Sequence, residues 1–509
     1  MQTNLGCAGC PMNRRRFFAA SGAVCAAGLL ARAAEAKPKI RLIYALHATK
    51  QPRPDWPNVG FDFAPVMERF NTALAQQCPA FEFVPTQATG PEQAQKILDE
   101  DKAAPVLGYI VMQMNCWNKV VQTIATSGKP VLYADFQFAG SGGFLVYTAA
   151  FLRAQAANVG FVASSRLEDF VAAVRCFALV AKGGTPAEFA AATARVRGER
   201  TPKVGDLGCK DDALKLLGTE ECVQRMKASK ILAVRNQESG PAEPLFEIPM
   251  ERVSFAEVNA AWQAADKDAA RALADRWQKT AAVIEGVSRE TLETSAAMYL
   301  GMKAVLKKHD ANAITVNCLG GFYGGHIHAY PCLGFHELCN EGLIGACECD
   351  VRSTATMVAI TTLTQGRPGY ISDPVMDSAK RQIIYAHCVA PNKAFGPQGP
   401  INPFQILTHS EDRQGASVRS LLPTGYLTTT LEIQPARKEI LMHQAKAVAN
   451  DPDDRACRTK LCGEPLGDFE KLFTEWDRWG WHRVTAYGDL KAPVQALADR
   501  LGWKIVLET

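Results

Sequence analysis

From residue 40 onward, apolar runs of strand length alternate with stretches of helical spacing, and no other feature constrains the chain as much. Residues 40–46, 81–85, 106–113 and 130–136 read as strands; 63–74, 91–98 and 117–126 read as helices between them. Such βα units build a parallel sheet covered by helices, so a first α/β domain is predicted over 37–170. Helical periodicity returns at 167–181, 186–196, 255–265 and 268–284, with strand candidates at 230–235 and 313–318. Ser288 is placed to cap a helix reaching Lys308, and Glu290 puts an acid in its first turn. These elements predict a second α/β domain over 171–350. Beyond it, short strands at 368–371, 382–387, 415–421 and 425–433 alternate with turns, and a helix at 493–501 and a strand at 503–507 follow. The fold class expected is α/β: two Rossmann-like α/β domains followed by a β-rich C-terminal domain over 351–509.

A chain of 509 residues exceeds what one core usually organises, which agrees with several domains. With 47% apolar residues, 21% charged residues and a net charge of +4, it has material for packed cores and no basic patch of the kind that binds nucleic acid. The basic cluster that does occur, Arg14-Arg15-Arg16, precedes Phe17-Phe18 and an apolar run ending in Ala34-Glu35-Ala36. A charged start, a short apolar stretch and a small-x-small ending describe an export signal over 1–36, of twin-arginine type. The expected location is periplasmic or otherwise exported, with the twin-arginine machinery as a partner. The run is broken by Gly and Arg32 and falls short of the ~20 apolar residues of a membrane span. Of sixteen cysteines, thirteen lie beyond the signal. An exported protein can form disulfides, and Cys457 and Cys462, flanking a polar loop, are the pair most suited to one. Beyond residue 36 no CxxC occurs, and the one-residue gap of Cys347-Glu348-Cys349 makes a poor zinc chelate.

Chemistry-bearing residues concentrate after Asn317. Gly320-Gly321 and Gly324-Gly325 follow a predicted strand, but the pattern is not the GxGxxG of a dinucleotide site. Glu348 stands among small and apolar neighbours, so it either reaches solvent or is buried with a partner or a metal. Asp350 reads as the N-cap of a helix reaching Leu363. Asp373 ends a strand before Pro374, as a projecting acid or an Asp-Pro turn. His387 closes another strand, and His482 leads into one beside Trp479 and Trp481, which are sugar-facing aromatics or core. Glu348, Asp373, His387 and His482 offer only oxygen and nitrogen, a set suited to Mn²⁺ or another divalent metal. Trp56, Trp481, His326 and His409 are candidate substrate contacts, with His328 and the polar segment around Glu411 as further possibilities.

The segments around Tyr330-Pro331-Cys332, Glu341-Gly342, Ala346-Cys347-Glu348, Gly366-Arg367-Pro368, Asp373, Ala386-His387-Cys388 and His482 through Tyr487-Gly488-Asp489 resemble the L-fucose isomerase-like family, the L-fucose/L-arabinose isomerase group. The resemblance spans about 190 residues from Ile314 onward. It implies that Glu348 and Asp373 are acidic metal ligands that also move protons, that His482 is a further ligand, and that His387 matches the additional histidine of arabinose isomerases. It implies aldose–ketose interconversion through an enediolate, a small-molecule sugar as substrate and a homo-oligomer. In the family's oligomers a first domain can approach a neighbour's site, so residues 52–62, with Trp56, could act in trans. The export signal departs from the family's cytoplasmic habit. It leaves two alternatives open: a glycoside hydrolase or lyase using the same carboxylates, and a non-catalytic carbohydrate-binding protein.

Overall fold

A computed structural model describes residues 36–509, so the expected signal lies outside the described residues apart from Ala36. The first sheet holds β1 (Lys39–Ala45), β2 (Glu82–Ala88), β3 (Gly108–Gln113), β4 (Val131–Asp135) and β5 (Val159–Val162), all parallel, in the order β2-β1-β3-β4-β5. β3 and β4 are buried on both faces, which is why they read as continuous apolar runs. One face packs Leu42, Ile110 and Leu132 against helices; the other packs Ile43, Val111 and Tyr133 in a core that continues to Tyr385 and Trp476 of the C-terminal part. Helix Ser141–Arg153, which the sequence pattern did not announce, is buried around most of its circumference and carries no amphipathic stripe.

The second sheet is formed by β6 (Ile231–Arg235), β7 (Gly240–Leu245) and β8 (Ile248–Ser254), while β9 (Val283–Glu285) leaves it and β10 (Ala313–Val316) and β11 (Ile344–Cys347) rejoin it. Its order is β11-β10-β6-β8-β7, parallel except for β7. Pro241 and Pro244 cannot donate to a ladder on both sides, which confines β7 to the edge. Ser288 caps helix Arg289–Lys308 by accepting from the Thr291 amide, as its position predicts.

The last third forms an antiparallel barrel. Its strands are β12 (Tyr370–Asp377) and β13 (Gln382–His387), then, after β14 (Phe404–Leu407) and β15 (Ser417–Ser420) have joined β9 in a small sheet, β16 (Leu427–Gln434), β17 (Glu439–Asn450), β18 (Thr459–Pro465) and β19 (Arg483–Tyr487). The ring runs β16-β19-β12-β13-β18-β17 and closes by pairing β17 with β16, so none of the six is left as a free edge. β20 (Lys504–Leu507) adds in parallel to the first residues of β17. The mixed α/β class and the β-rich end are as expected; the closure was not. Residues 201–218 run without helix or strand and are fastened to this part by Arg367–Asp212 at 2.5 Å and by the Lys210 amide to Gly425 O at 2.7 Å. Among the described residues, no helix is long and apolar enough to cross a membrane.

Candidate active site

Glu348 follows the C-terminal end of β11, where side chains of a parallel sheet project into a crevice. The chain turns there through two left-handed residues, Glu348 at φ +62° and Cys349 at φ +51°. Consecutive non-glycine residues in that region cost on the order of 1 kcal/mol each, strain of the kind found where a side chain must be aimed. Asp350 then caps helix Val351–Leu363 through the Arg352 and Ser353 amides, at 3.0 and 3.2 Å.

Three barrel residues face Glu348. Asp373 lies inside β12 rather than at a strand end. β12 continues through Pro374, whose missing N–H falls past the stretch paired with β19. His387 ends β13, and its Nδ1 lies 2.9 Å from Ile371 O. His482 precedes β19, and its Nδ1 lies 3.0 Å from Asp350 Oδ2. Ligand atoms of Glu348, Asp373, His387 and His482 all fall within 4.8 Å of one another. His387 Nε2 is 3.5 Å from Glu348 Oε1, and His482 Nε2 is 3.5 Å from Glu348 Oε2 and 3.2 Å from Asp373 Oδ1.

The donors suit a divalent cation on their own evidence. Asp373 Oδ1 and His482 Nε2 are buried without a hydrogen-bond partner, a costly arrangement unless something else meets them. Each imidazole commits Nδ1–H to an oxygen, which fixes the tautomer and turns the Nε2 lone pair inward, the arrangement that orients histidine ligands. Electrostatics agree. Burial opposes charge on His387, yet Asp373 and Glu348 raise its pKa to about 9. Burial likewise opposes charge on His482, and Glu348, Asp350 and Asp373 outweigh it to raise the pKa well above the usual value. Burial pushes Asp373 up, whereas in Glu348 the charges of His482 and His387 overcome burial and hold the carboxyl low. The two carboxylates thus draw positive charge to one point while differing in their own affinity for a proton.

A cleft of about 590 Å³ opens over Glu348 and Asp373. Trp56, Trp117 and Trp481 wall it, with Trp481 edge-on to the other two at centroid distances of 6.5 and 5.6 Å. His47 and Asp55 pair at 2.7 Å on the rim beside the exposed Arg53. Tyr323 donates to Glu411 at 3.0 Å on the opposite side, and burial pushes the Glu411 carboxyl up to about 8. The Trp56 segment reaches the cleft within its own chain, held by the Val59 amide to Glu411 O at 2.7 Å and by Arg413 to Asn58 at 2.8 Å.

Of the sequence candidates, Trp56 and Trp481 therefore line the cleft with Glu348 and Asp373. His409 and His326 do not. His409 is buried, 3.2 Å from Asp412, and its ring faces Tyr330; the cleft residue of that segment is Glu411. His326 stacks on Phe255 and meets Asn236, and His328 lies near Trp262. Trp479 is fully buried core. The expected Cys457–Cys462 disulfide is absent. All thirteen described cysteines are free thiols; Cys462 sits within β18, and Cys457 lies beside Ser410. The sequence reading passed over Trp117, His47, Arg53 and the link from Asp350 to His482.

No protein-family model matches the chain. Curated relatives include the sulfoquinovose isomerase of Clostridium sp. (strain MSTE9), 26% identical over 239 residues, covering 43% of this chain and 49% of that protein. The sulfoquinovose isomerases of Priestia megaterium (strain ATCC 12872 / QMB1551) and Alkalicoccus urumqiensis are each 24% identical, over 102 and 119 residues, covering 20% and 22% of this chain and 23% and 27% of theirs. The chain thus spans about half the length, or less, of the curated relatives it matches. Among solved structures, a carbohydrate transporter from Acidothermus cellulolyticus 11B in complex with myo-inositol is 9% identical over 57% of this chain and 79% of its own, with a TM-score of 0.18, too low to bear on fold or function.

Proposed function

We propose that the chain is a metal-dependent aldose–ketose isomerase, and that it acts on a sugar carrying an anionic group. The observation that carries this reading is the meeting of Glu348, Asp373, His387 and His482 at the floor of a tryptophan-walled cleft. Sulfoquinovose isomerases among the relatives support the reaction class, and the exposed Arg53 at the rim offers a partner for an anionic end. Manganese is the ion we assign to the oxygen–nitrogen donor set. The arginine-rich start supports an exported enzyme, and the resemblance supports a homo-oligomer.

Isomerisation must move one proton from C2 to C1 and another from O2 to O1 of the open-chain sugar. A divalent cation held by the four residues would supply Lewis acidity at those adjacent oxygens. Glu348, held ionised and open to the cleft, is placed to take the C2 proton and return it to C1. Asp373, its proton affinity raised by burial, is placed to carry the proton between the oxygens. The tryptophans hold the apolar face of the substrate and exclude water.

The test is to incubate Mn²⁺-loaded protein in D₂O with a panel of neutral and anionic aldoses, including sulfoquinovose, and follow the products by NMR. A ketose, with solvent deuterium appearing at carbon in the recovered sugar, is expected. A shortened glycan from oligosaccharide controls, with no ketose from any aldose, would replace this reading with glycoside cleavage.

A further inference from the structure

A second cavity, of about 460 Å³, lies between the C-terminal ends of β4 and β5 and the barrel, and shares no lining residue with the tryptophan cleft. Two buried carboxylates form its floor. Asp135 ends β4, is 8% exposed, and accepts from Ser141 Oγ at 2.8 Å through Oδ2, while its Oδ1 meets no hydrogen-bond donor. Asp377 ends β12 and is fully buried. Its Oδ1 accepts from the Ser165 and Ala379 amides at 2.9 and 3.1 Å, while its Oδ2 has no hydrogen-bond partner and stands 3.6 Å from Lys380 Nζ. Two desolvated acceptor oxygens facing one cavity call for a donor-rich occupant.

The rest of the lining narrows the choice. Phe61 and Phe70 flank Phe136 in one wall, with ring centroids 6.5 and 6.4 Å from it, and Arg455 lies over the Phe136 ring at 4.9 Å. Four cations and two further carboxylates, Asp451 and Asp453, complete the charged lining. Arg455 is committed to Asp453 at 2.6 Å and Arg166 to Asp169 at 3.2 Å. Lys380 is held only loosely, between Asp377 at 3.6 Å and Asp451 at 3.8 Å and beyond hydrogen-bond reach of either, and Arg69 lies over the Phe70 ring at 5.3 Å. A hydroxylated ring gives the floor its donors and the aromatic wall its apolar face, and an anionic substituent pairs with Arg69 and with the loosely held Lys380. We propose that this cavity is a second small-molecule site, separate from the metal centre, for a monosaccharide-sized hydroxylated ring bearing one anionic group.

Glucose 6-phosphate is the probe, titrated calorimetrically into the full chain, with glucose and inorganic phosphate as the two partial ligands. The proposal expects glucose 6-phosphate to bind more tightly than either, with affinity cut about tenfold by Asp377→Asn and by Lys380→Ala and left intact by Glu348→Gln. Lys380 is half exposed and outside the core, so its variant reports even where Asp377→Asn fails to fold. Three outcomes overturn the proposal: no binding at 10 mM on the order of which weak sugar sites still register, equal affinity for glucose and glucose 6-phosphate, or a loss of binding in Glu348→Gln that Lys380→Ala does not share.

Discussion

The Nδ1 of His482 and Oδ2 of Asp350 stand 3.0 Å apart, across 132 residues of chain. One carboxylate thereby caps a helix of the second sheet's region and orients an imidazole that enters from the barrel. The contact ties together the two parts of the molecule that supply the four clustered acids and histidines, and burial of the carboxylate is outweighed by His482, which holds Asp350 well below its usual pKa. Asp350→Asn keeps a good N-cap but gives up a charge that His482 stabilises, so a modest loss of stability is expected. It loses the charge that sets the histidine, so affinity for Mn²⁺ is expected to fall about 10- to 100-fold, measurable by calorimetric titration.

Gly142 shapes the cleft from beneath. A Cβ built on it would come within 1.9 Å of the Trp481 ring, far inside van der Waals contact. Gly142→Ala must push the indole outward, at about 1–3 kcal/mol of stability. The expected kinetic result is a KM raised about tenfold with kcat altered less, because the metal donors do not move. Steady-state kinetics and a urea melt of the variant check both parts.

Glu508 anchors the barrel beside the site. It meets Arg483 at 2.9 Å and His443 at 2.8 Å, all three buried, and Arg483 stacks on Trp476. Removing one partner of a buried ionic group leaves the other uncompensated, so Glu508→Ala is expected to cost about 3–5 kcal/mol in equilibrium denaturation. Since Arg483 follows His482, metal affinity should fall as well.

How much of this was legible in sequence follows from the physics of each element. β1, β3 and β4 announced themselves because burial on both faces makes continuous apolar runs, whereas the four-residue β5 went unread, and Ser288 and Asp350 announced themselves because caps are local chemistry. Helix Ser141–Arg153 stayed hidden because it lacks a polar face, and β17 and β18 because they carry buried polar residues, His443 and Lys460 among them, the first held by Glu508, 65 residues away. Glu348, Asp373, His387 and His482 were singled out by their sequence surroundings and then by motif resemblance; only the folded chain shows them sharing a point. Trp117 and Arg53 carry no local signal, since their positions depend on how the first sheet's loops meet the barrel.

An acid–histidine cluster away from the site gives a pH prediction. His309 lies 2.7 Å from both Glu251 and Glu257. Burial opposes its charge, but the two glutamates raise its pKa above 6.5; burial also opposes charge on Glu257, but Lys308 and His309 lower that carboxyl to about 2. A raised histidine contributes stability that is complete below pH 6.5 and lost as pH rises through its folded value. A depressed glutamate contributes stability present above pH 4.5 and lost as pH falls toward 2. The stability lost in His309→Ala should therefore be greatest between about pH 4.5 and 6.5 and shrink at higher pH, as denaturation across pH will read.

The central claim is that Glu348, Asp373, His387 and His482 hold one divalent ion needed for turnover. Metal analysis of wild-type protein and of Glu348→Gln, paired with isomerase assays before and after chelation, tests it most directly. The account predicts one divalent ion per wild-type chain, turnover lost on chelation and restored by Mn²⁺, and neither ion nor turnover in the variant. Full turnover in the metal-stripped wild type, or in Glu348→Gln, would contradict it.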